Sequence, residues 1–336
     1  MELATSYLGL RLRNPLVASA SPLSYTVDGV RRLEDAGVGA VVLFSLFEEQ
    51  LRARAAHDAR VLQESAESFA EARDYFPQAA EDDHGPRRYL SLLERAAGAV
   101  EVPVIASLNG TTPEGWTEYA RAMQEAGAAA IELNIYYLPG DPLTSGRDVE
   151  QRHLDTLERV KAAVTVPVAV KLAPYFSSIG EMALRLDAAG ADGLVLFNRF
   201  LQPDVDVERL AVVPAATLSH PSEARLPRTW IALLHGRVEA SLAATTGVER
   251  PSDVIAYLLA GADVVMSASA LLRHGPEHAG VLLAGLGEWM RGRGVGGVDQ
   301  IRGLLAVPSD ADGEAYERAG YVTAMREANA RDRGAW

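Results

Sequence analysis

Two apolar rhythms alternate along this chain. Four segments share one pattern, an Ala-Gly pair followed by a small residue and a short apolar run: Ala36-Gly37 into Ala40–Phe44, Ala126-Gly127 into Ala129–Leu133, Ala189-Gly190 into Gly193–Phe197, and Ala260-Gly261 into Val264–Ser267. A stretch with helical spacing precedes each pair, so the glycine reads as the left-handed residue that closes a helix. The apolar run after it reads as a strand buried on both faces. Val102-Pro103-Val104-Ile105-Ala106 and Val166-Pro167-Val168-Ala169-Val170-Lys171 read the same way, because proline is tolerated where a strand begins. Leu16–Ser19 and Ser241–Thr245 bring the strand candidates to eight. Helical patterns are predicted near 28–36, 86–99, 114–126, 148–163, 178–189, 228–235, 252–260 and 276–291.

Strands that alternate with helices make a parallel sheet. Eight such units predict an α/β protein, a (β/α)8 TIM barrel. The competing doubly wound sheet lacks a Gly-x-Gly-x-x-Gly after any strand. Two insertions break the rhythm after strands two and six. One covers about 45–85 and ends in Tyr75-Phe76-Pro77; the other covers about 199–228 and carries Pro203, Pro214, Pro221 and Pro227. Both fall at the C-terminal rim, where barrel active sites lie. With no linker-like stretch, residues 1–336 are expected to form one domain, with 295–336 a tail packed on its outside.

Composition narrows the chemistry. Hydrophobic residues make up 48% of the chain, ample for a core, and the net charge of −13 argues against nucleic acid or an anionic membrane as partner. There is no cysteine, which excludes disulfides, thiolate nucleophiles, iron–sulfur clusters and cysteine zinc sites on this chain, and fits a cytoplasmic protein. Neither a signal peptide nor a spanning segment is expected. Of 32 basic residues only Lys161 and Lys171 are lysines, so their positions carry unusual information.

The positions just past each strand were therefore read in order. Ala18-Ser19 end strand one, Ser45 follows strand two, Ser107-Leu108-Asn109 end strand three, and Asn134-Ile135-Tyr136-Tyr137 follow strand four. Lys171 ends strand five. An ammonium at the mouth of a buried strand needs an anion or strong acceptor; a reduced flavin is one such partner, and Glu132 on the neighbouring strand is another. Strand six ends in Asn198-Arg199, and buried amides there suit a heterocycle. Thr246-Gly247 and Ala268-Ser269 follow strands seven and eight, where barrels often bind phosphate. Arg199, Arg225 and Arg228 are candidate carboxylate anchors, against the commoner fate of solvated arginines. His153 and His235 read as structural, and no metal site is expected.

Taken in order, Asn14-Pro15 with Ala18-Ser19, Glu132-Leu133-Asn134, Val170-Lys171-Leu172-Ala173-Pro174, Gly190-Ala191-Asp192-Gly193-Leu194 and Ala260-Gly261-Ala262-Asp263 resemble the dihydroorotate dehydrogenase family over roughly 5–290. The resemblance implies FMN over the barrel mouth. It would lie along Ala18 and Ser19, with Ser45 and Ser107 near its polar edge and Lys171 at its N1–O2 side. Asn134 would touch flavin and substrate, Asn198 the substrate, and Thr246, Gly247, Ala268 and Ser269 the phosphate. Departures fall on the substrate side. Tyr137 stands where the family has a Cys or Ser base, Pro139 where it has an Asn, and Phe44 where it has a rim lysine.

The expectation is thus an FMN-dependent oxidoreductase acting on CH–CH bonds, with hydride passing between flavin N5 and a small substrate that could carry a carboxylate. Tyrosine, with an ordinary pKa of about 10, serves better as acid than base, so Tyr137 or Tyr136 is expected to protonate a substrate carbon unless it only fills space. Two alternatives stay open: an orthodox dihydroorotate dehydrogenase of pyrimidine biosynthesis, and a non-catalytic flavoprotein subunit of a larger oxidoreductase. Electrons would leave to a soluble acceptor or a partner redox protein. The resemblance also brings in a homodimer, for which no interface is legible.

Overall fold

The chain opens with an antiparallel hairpin of β1 (Thr5–Tyr7) and β2 (Leu10–Leu12). Six parallel strands follow: β3 (Leu16–Ala18), β4 (Ala40–Phe47), β5 (Val104–Asn109), β6 (Ala130–Asn134), β7 (Val168–Leu172) and β8 (Gly193–Leu196). A second hairpin, β9 (Gln202–Asp206) with β10 (Ala211–Ala215), comes next. Then β11 (Ser241–Ala244) and β12 (Val264–Ser267) close the barrel of eight strands, β12 pairing with β3. This computed structural model describes residues 2–47, 86–109, 113–135, 137, 140–199, 202–215 and 217–333. The expected insertion beyond 47, with Tyr75-Phe76-Pro77, lies outside the described residues, as do Tyr136 and Pro139.

The predicted barrel is the observed one. Its helices are α1 (Val27–Asp35), α2 (Pro86–Ala97), α3 (Pro113–Glu125), α4 (Gly146–Ala163), α5 (Ile179–Ala188), α6 (Arg225–Leu234), α7 (Pro251–Ala260), α8 (Ser269–His274), α9 (His278–Gly292) and α10 (Gly313–Arg333). The glycines of the four repeats have φ of 104° (Gly37), 93° (Gly127), 90° (Gly190) and 116° (Gly261), the left-handed turn that ends a helix. Pro103 and Pro167 stand just before β5 and β7. Their missing N–H costs no ladder bond, while their carbonyls accept from Val41 (3.0 Å) and Ile131 (2.9 Å).

A polar device accompanies three of the repeats. Two residues before the Ala-Gly pair stands a side-chain acceptor that takes two backbone N–H groups ahead of a more distant strand. Glu34 accepts from Glu101 and Val102, Gln124 from Thr165 and Val166, and Asp187 from Glu239 and Ala240. Each helix is thereby tied to the strand after next.

Alternate residues of each strand face inward. Val17, Val42, Ile105, Ala130, Ala169, Val195, Ala243 and Met266 pack with Tyr7, Leu8 and Leu12 of the hairpin, which plugs the base. The other faces meet the helices in the larger core. Beyond α9 the chain runs over α6 and α7, with Gly303 N–H on Leu258 O and Val307 N–H on Ala232 O (both 2.9 Å). Side chains from Arg318 to Glu327 in α10 are exposed. Among the described residues, no helix is long and apolar enough to cross a membrane.

Candidate active site

Strand alternation puts a polar layer directly above the apolar plug. Ala130 faces inward on β6, so Glu132 and Asn134 do too; Ala169 does on β7, so Lys171 follows. Lys171 Nζ donates to Glu132 Oε1 at 3.2 Å and lies 3.4 Å from Ser19 Oγ, with all three residues buried. The two partners weighed for Lys171 are thus compatible. It is paired with Glu132 and still forms part of the wall of a cavity at the mouth.

Ser19, Lys171, Asn198, Arg199, Thr246, Gly247, Ala268 and Ser269 come together around that cavity, from five different strand ends. Asn134 joins them through Asn198, whose Nδ2 donates to Asn134 Oδ1 at 2.7 Å. That bond fixes the amides so that Asn134 turns its NH2, and Asn198 its carbonyl, to other partners. Ala18 is different. Its methyl belongs to the layer between barrel and helices, which leaves only its backbone toward the mouth.

Ser45 and Ser107 are joined Oγ to Oγ at 2.8 Å. A register shift between Val42 and Ser45 brings Ser45 opposite Ser107 across β4 and β5. Tyr89 braces the strand behind them, accepting from Ser107 N–H (2.8 Å) and donating to Ser107 O (3.2 Å). Burial pushes the Tyr89 hydroxyl well above its ordinary pKa, so it stays protonated and can donate. Phe44 packs edge-on between Tyr25 (4.5 Å) and Tyr89 (5.1 Å). An aromatic cluster fills the place where the family resemblance expects a charged amine.

At the opposite side, Thr246 has φ 81°, uncommon for a residue with a branched Cβ. Its hydroxyl donates to Phe197 O (3.0 Å), and Tyr257 Oη donates to its carbonyl (2.7 Å). A Cβ on Gly247 would come within 2.9 Å of Ala224, so glycine is needed there. After β12 the chain enters α8, whose first-turn N–H groups have no intrahelical acceptor. No sequence pattern points to Ser219 or Tyr257, and Glu132 is legible only as a partner of Lys171. Ser219 ties this edge together, its N–H on Ser269 Oγ (2.9 Å) and its Oγ near Gly247 N (3.3 Å). Its role depends on a long loop folding back, which no local pattern signals.

Two expected residues are engaged elsewhere. Arg199 Nε meets Glu223 Oε2 at 2.8 Å. The Tyr137 ring carries the Arg152 guanidinium 3.9 Å from its centre and is not part of the cavity wall. Arg228 Nε donates to Ala224 O (3.2 Å), and His235 Nδ1 lies 3.1 Å from Gly261 O. Among the described residues no cluster of His, Cys, Asp and Glu could hold a metal. The donors present are one ammonium, one guanidinium, two amides, hydroxyls and loop N–H groups. They suit a ligand with an electron-rich heterocycle at one end and an anion at the other.

A parallel barrel whose polar side chains gather at the C-terminal mouth defines the class. The family model of dihydroorotate dehydrogenase matches residues 2–290, and this chain belongs to that family, an oxidoreductase of the dihydroorotate dehydrogenase type. It is 28% identical over 310 residues to the catalytic subunit of dihydroorotate dehydrogenase B (NAD(+)) of Methanothermobacter thermautotrophicus, covering 90% of this chain and 98% of that protein. It is likewise 28% identical over 274 residues to the subunit of that name from Methanocella arvoryzae, covering 81% of this chain and 87% of that protein. The Listeria welshimeri subunit of that name is 28% identical over 270 residues, 79% of this chain and 86% of that protein.

Proposed function

We propose that this chain is an FMN-dependent oxidoreductase acting on a CH–CH bond of a small heterocyclic substrate, with a substrate range altered from that of dihydroorotate dehydrogenase. The observation that carries the reading is the buried Lys171 beside Ser19, with the Asn134–Asn198 amide pair at the same mouth. Lys171 and Ser19 would hold the electron-rich edge of the ring, and the loops at Thr246-Gly247 and Ala268-Ser269 the phosphate. Ser45 and Ser107 are proposed to line the ring's polar edge. When bound, FMN supplies hydride exchange at N5.

The chain's own residues do the rest. Asn134 and Asn198 orient a substrate amide, each with donor and acceptor capacity left over. Phe44 withdraws a charge from the rim, and Arg199 is held by Glu223, so a substrate carboxylate meets less positive charge than the family resemblance implies. Tyr137 is proposed as the proton carrier, which requires its ring to turn from Arg152 toward the substrate. The absence of cysteine removes a cluster wire, so electrons pass to a soluble acceptor or a partner redox protein.

The visible spectrum of purified protein tests the cofactor: absorption near 375 and 450 nm, as for oxidised flavin, is expected, and its absence after reconstitution with FMN overturns the reading. Dihydroorotate with a dye acceptor then tests the substrate. Rapid bleaching of the flavin by dihydroorotate returns the protein to the orthodox activity that its relatives' names carry.

A further inference from the structure

We propose that Glu132 is a positioning residue that sets the charge Lys171 offers to the ring above it, and so sets the redox balance of bound flavin; this rests on the FMN reading given above. Glu132 is not part of the cavity wall; among the described residues its hydrogen-bond partner is Lys171.

Three observations point there. First, the pair is shielded: the side chains of Lys171 and Glu132 are 9% and 1% exposed, with Nζ and Oε1 3.2 Å apart. Second, Glu132 Oε2 is buried and has no hydrogen-bond partner among the described residues. An unpaired carboxylate oxygen is expensive inside a protein, and nothing in the packing of the apolar plug requires an acid there. Third, the neighbours below offer little competing charge. Tyr7 and Tyr89 both feel the Glu132 carboxylate, and burial, the larger cause, pushes both hydroxyls up, so they stay neutral.

The geometry gives Lys171 three donors and two resident acceptors, Glu132 and Ser19. One N–H remains for a ligand. Seen from the mouth, the cation is largely cancelled by the carboxylate behind it. Two-electron, one-proton reduction of flavin leaves one negative charge on the ring. With Glu132 in place that charge meets a nearly neutral pair; with the carboxylate removed it meets a full cation in a poorly solvated site. Glu132 therefore weakens the preference for reduced flavin that Lys171 alone would impose.

The test is spectroelectrochemical titration of FMN-loaded wild type, Glu132→Gln, Lys171→Met and the double variant. Glu132→Gln should raise the ratio of affinities for reduced over oxidised FMN roughly tenfold or more, about 30 mV upward in midpoint for a two-electron couple. Lys171→Met should move it the other way. In the Lys171→Met background a buried carboxylate without its cation is held neutral, so the Glu132→Gln shift should collapse to less than about a third. FMN uptake with an unmoved midpoint in Glu132→Gln overturns the proposal, as does a shift that persists undiminished without the lysine. Should Glu132→Gln fail to accumulate, Glu132→Asp keeps the charge but draws it back; a smaller rise is expected, and no rise is overturning. A wild type that takes up no FMN overturns the cofactor reading and this one with it. Flavin uptake with unmoved potentials overturns this one alone.

Discussion

His153 lies inside α4, its Nδ1 2.8 Å from Val149 O and its ring edge-on to Phe176 at 5.1 Å. Burial pushes its pKa below the ordinary 6.5; the Val149 bond opposes this and the nearby Arg152 adds to it. The native state thus resists protonation while the unfolded chain accepts it. Stability from this site is complete above about 6.5 and drains as pH falls through the unfolded value toward the lower folded one. The urea midpoint should decline between about pH 7 and about pH 5.5, and His153→Phe should flatten that part of the profile. An unchanged slope would clear His153 of the effect. Tyr137, under the guanidinium of the adjacent Arg152, gives a second residue-scale prediction. Tyr137→Phe should slow substrate reduction roughly 100-fold while FMN affinity holds; an unaltered rate would leave the ring as packing under Arg152. Lys171 could be read from sequence because lysine is so scarce here, and Glu132 was visible as its alternative partner. Ser219 and Tyr257 could not, since their contacts with the loops after β11 and β12 exist only once chain segments distant in sequence have met.

Among the elements, the acceptors that precede the Ala-Gly pairs carry the clearest energetic consequence. Gln124 satisfies the N–H groups of Thr165 (2.7 Å) and Val166 (3.1 Å) with one oxygen. Gln124→Ala removes that acceptor from a partly buried turn and should cost about 1–3 kcal/mol, read by urea denaturation. Gln124→Glu, which keeps the oxygen, should cost much less. Strands and helices were legible because the repeat combines a fixed glycine with two distinct periodicities. The hairpins were not. β1 and β2 have three residues each, too few to show alternation. In β9–β10 the prolines that read as breakers are register partners, Pro203 opposite Pro214, on a two-stranded ribbon. There a proline N–H is not needed by any further strand.

For the whole molecule, the base plug matters as much as the mouth. The barrel interior is lined by small residues such as Ala130, Ala169 and Ala243, and Tyr7, Leu8 and Leu12 fill what they leave. Tyr7→Ala should cost about 3–5 kcal/mol, measured as loss of unfolding free energy, because the surrounding strands cannot collapse onto the vacancy. Tyr7→Phe keeps the ring and should cost far less. Fold and proposed substrate preference rest on features of different reach. Barrel closure follows from a pattern repeated along the chain, whereas the proposed preference turns on single positions such as Phe44 and Tyr137, whose neighbours a sequence does not name.

The ties from each helix to the strand after next also bear on synthesis. Glu34 finds its partner at Glu101, 67 residues later; Gln124 waits 41 residues and Asp187 waits 52. A chain emerging from the ribosome therefore carries an unfastened clasp at its growing end until the later strands have appeared. Nascent fragments that stop after β6 or β8 leave the clasp of the helix behind them open, and should be digested by protease far faster than their share of the finished core implies.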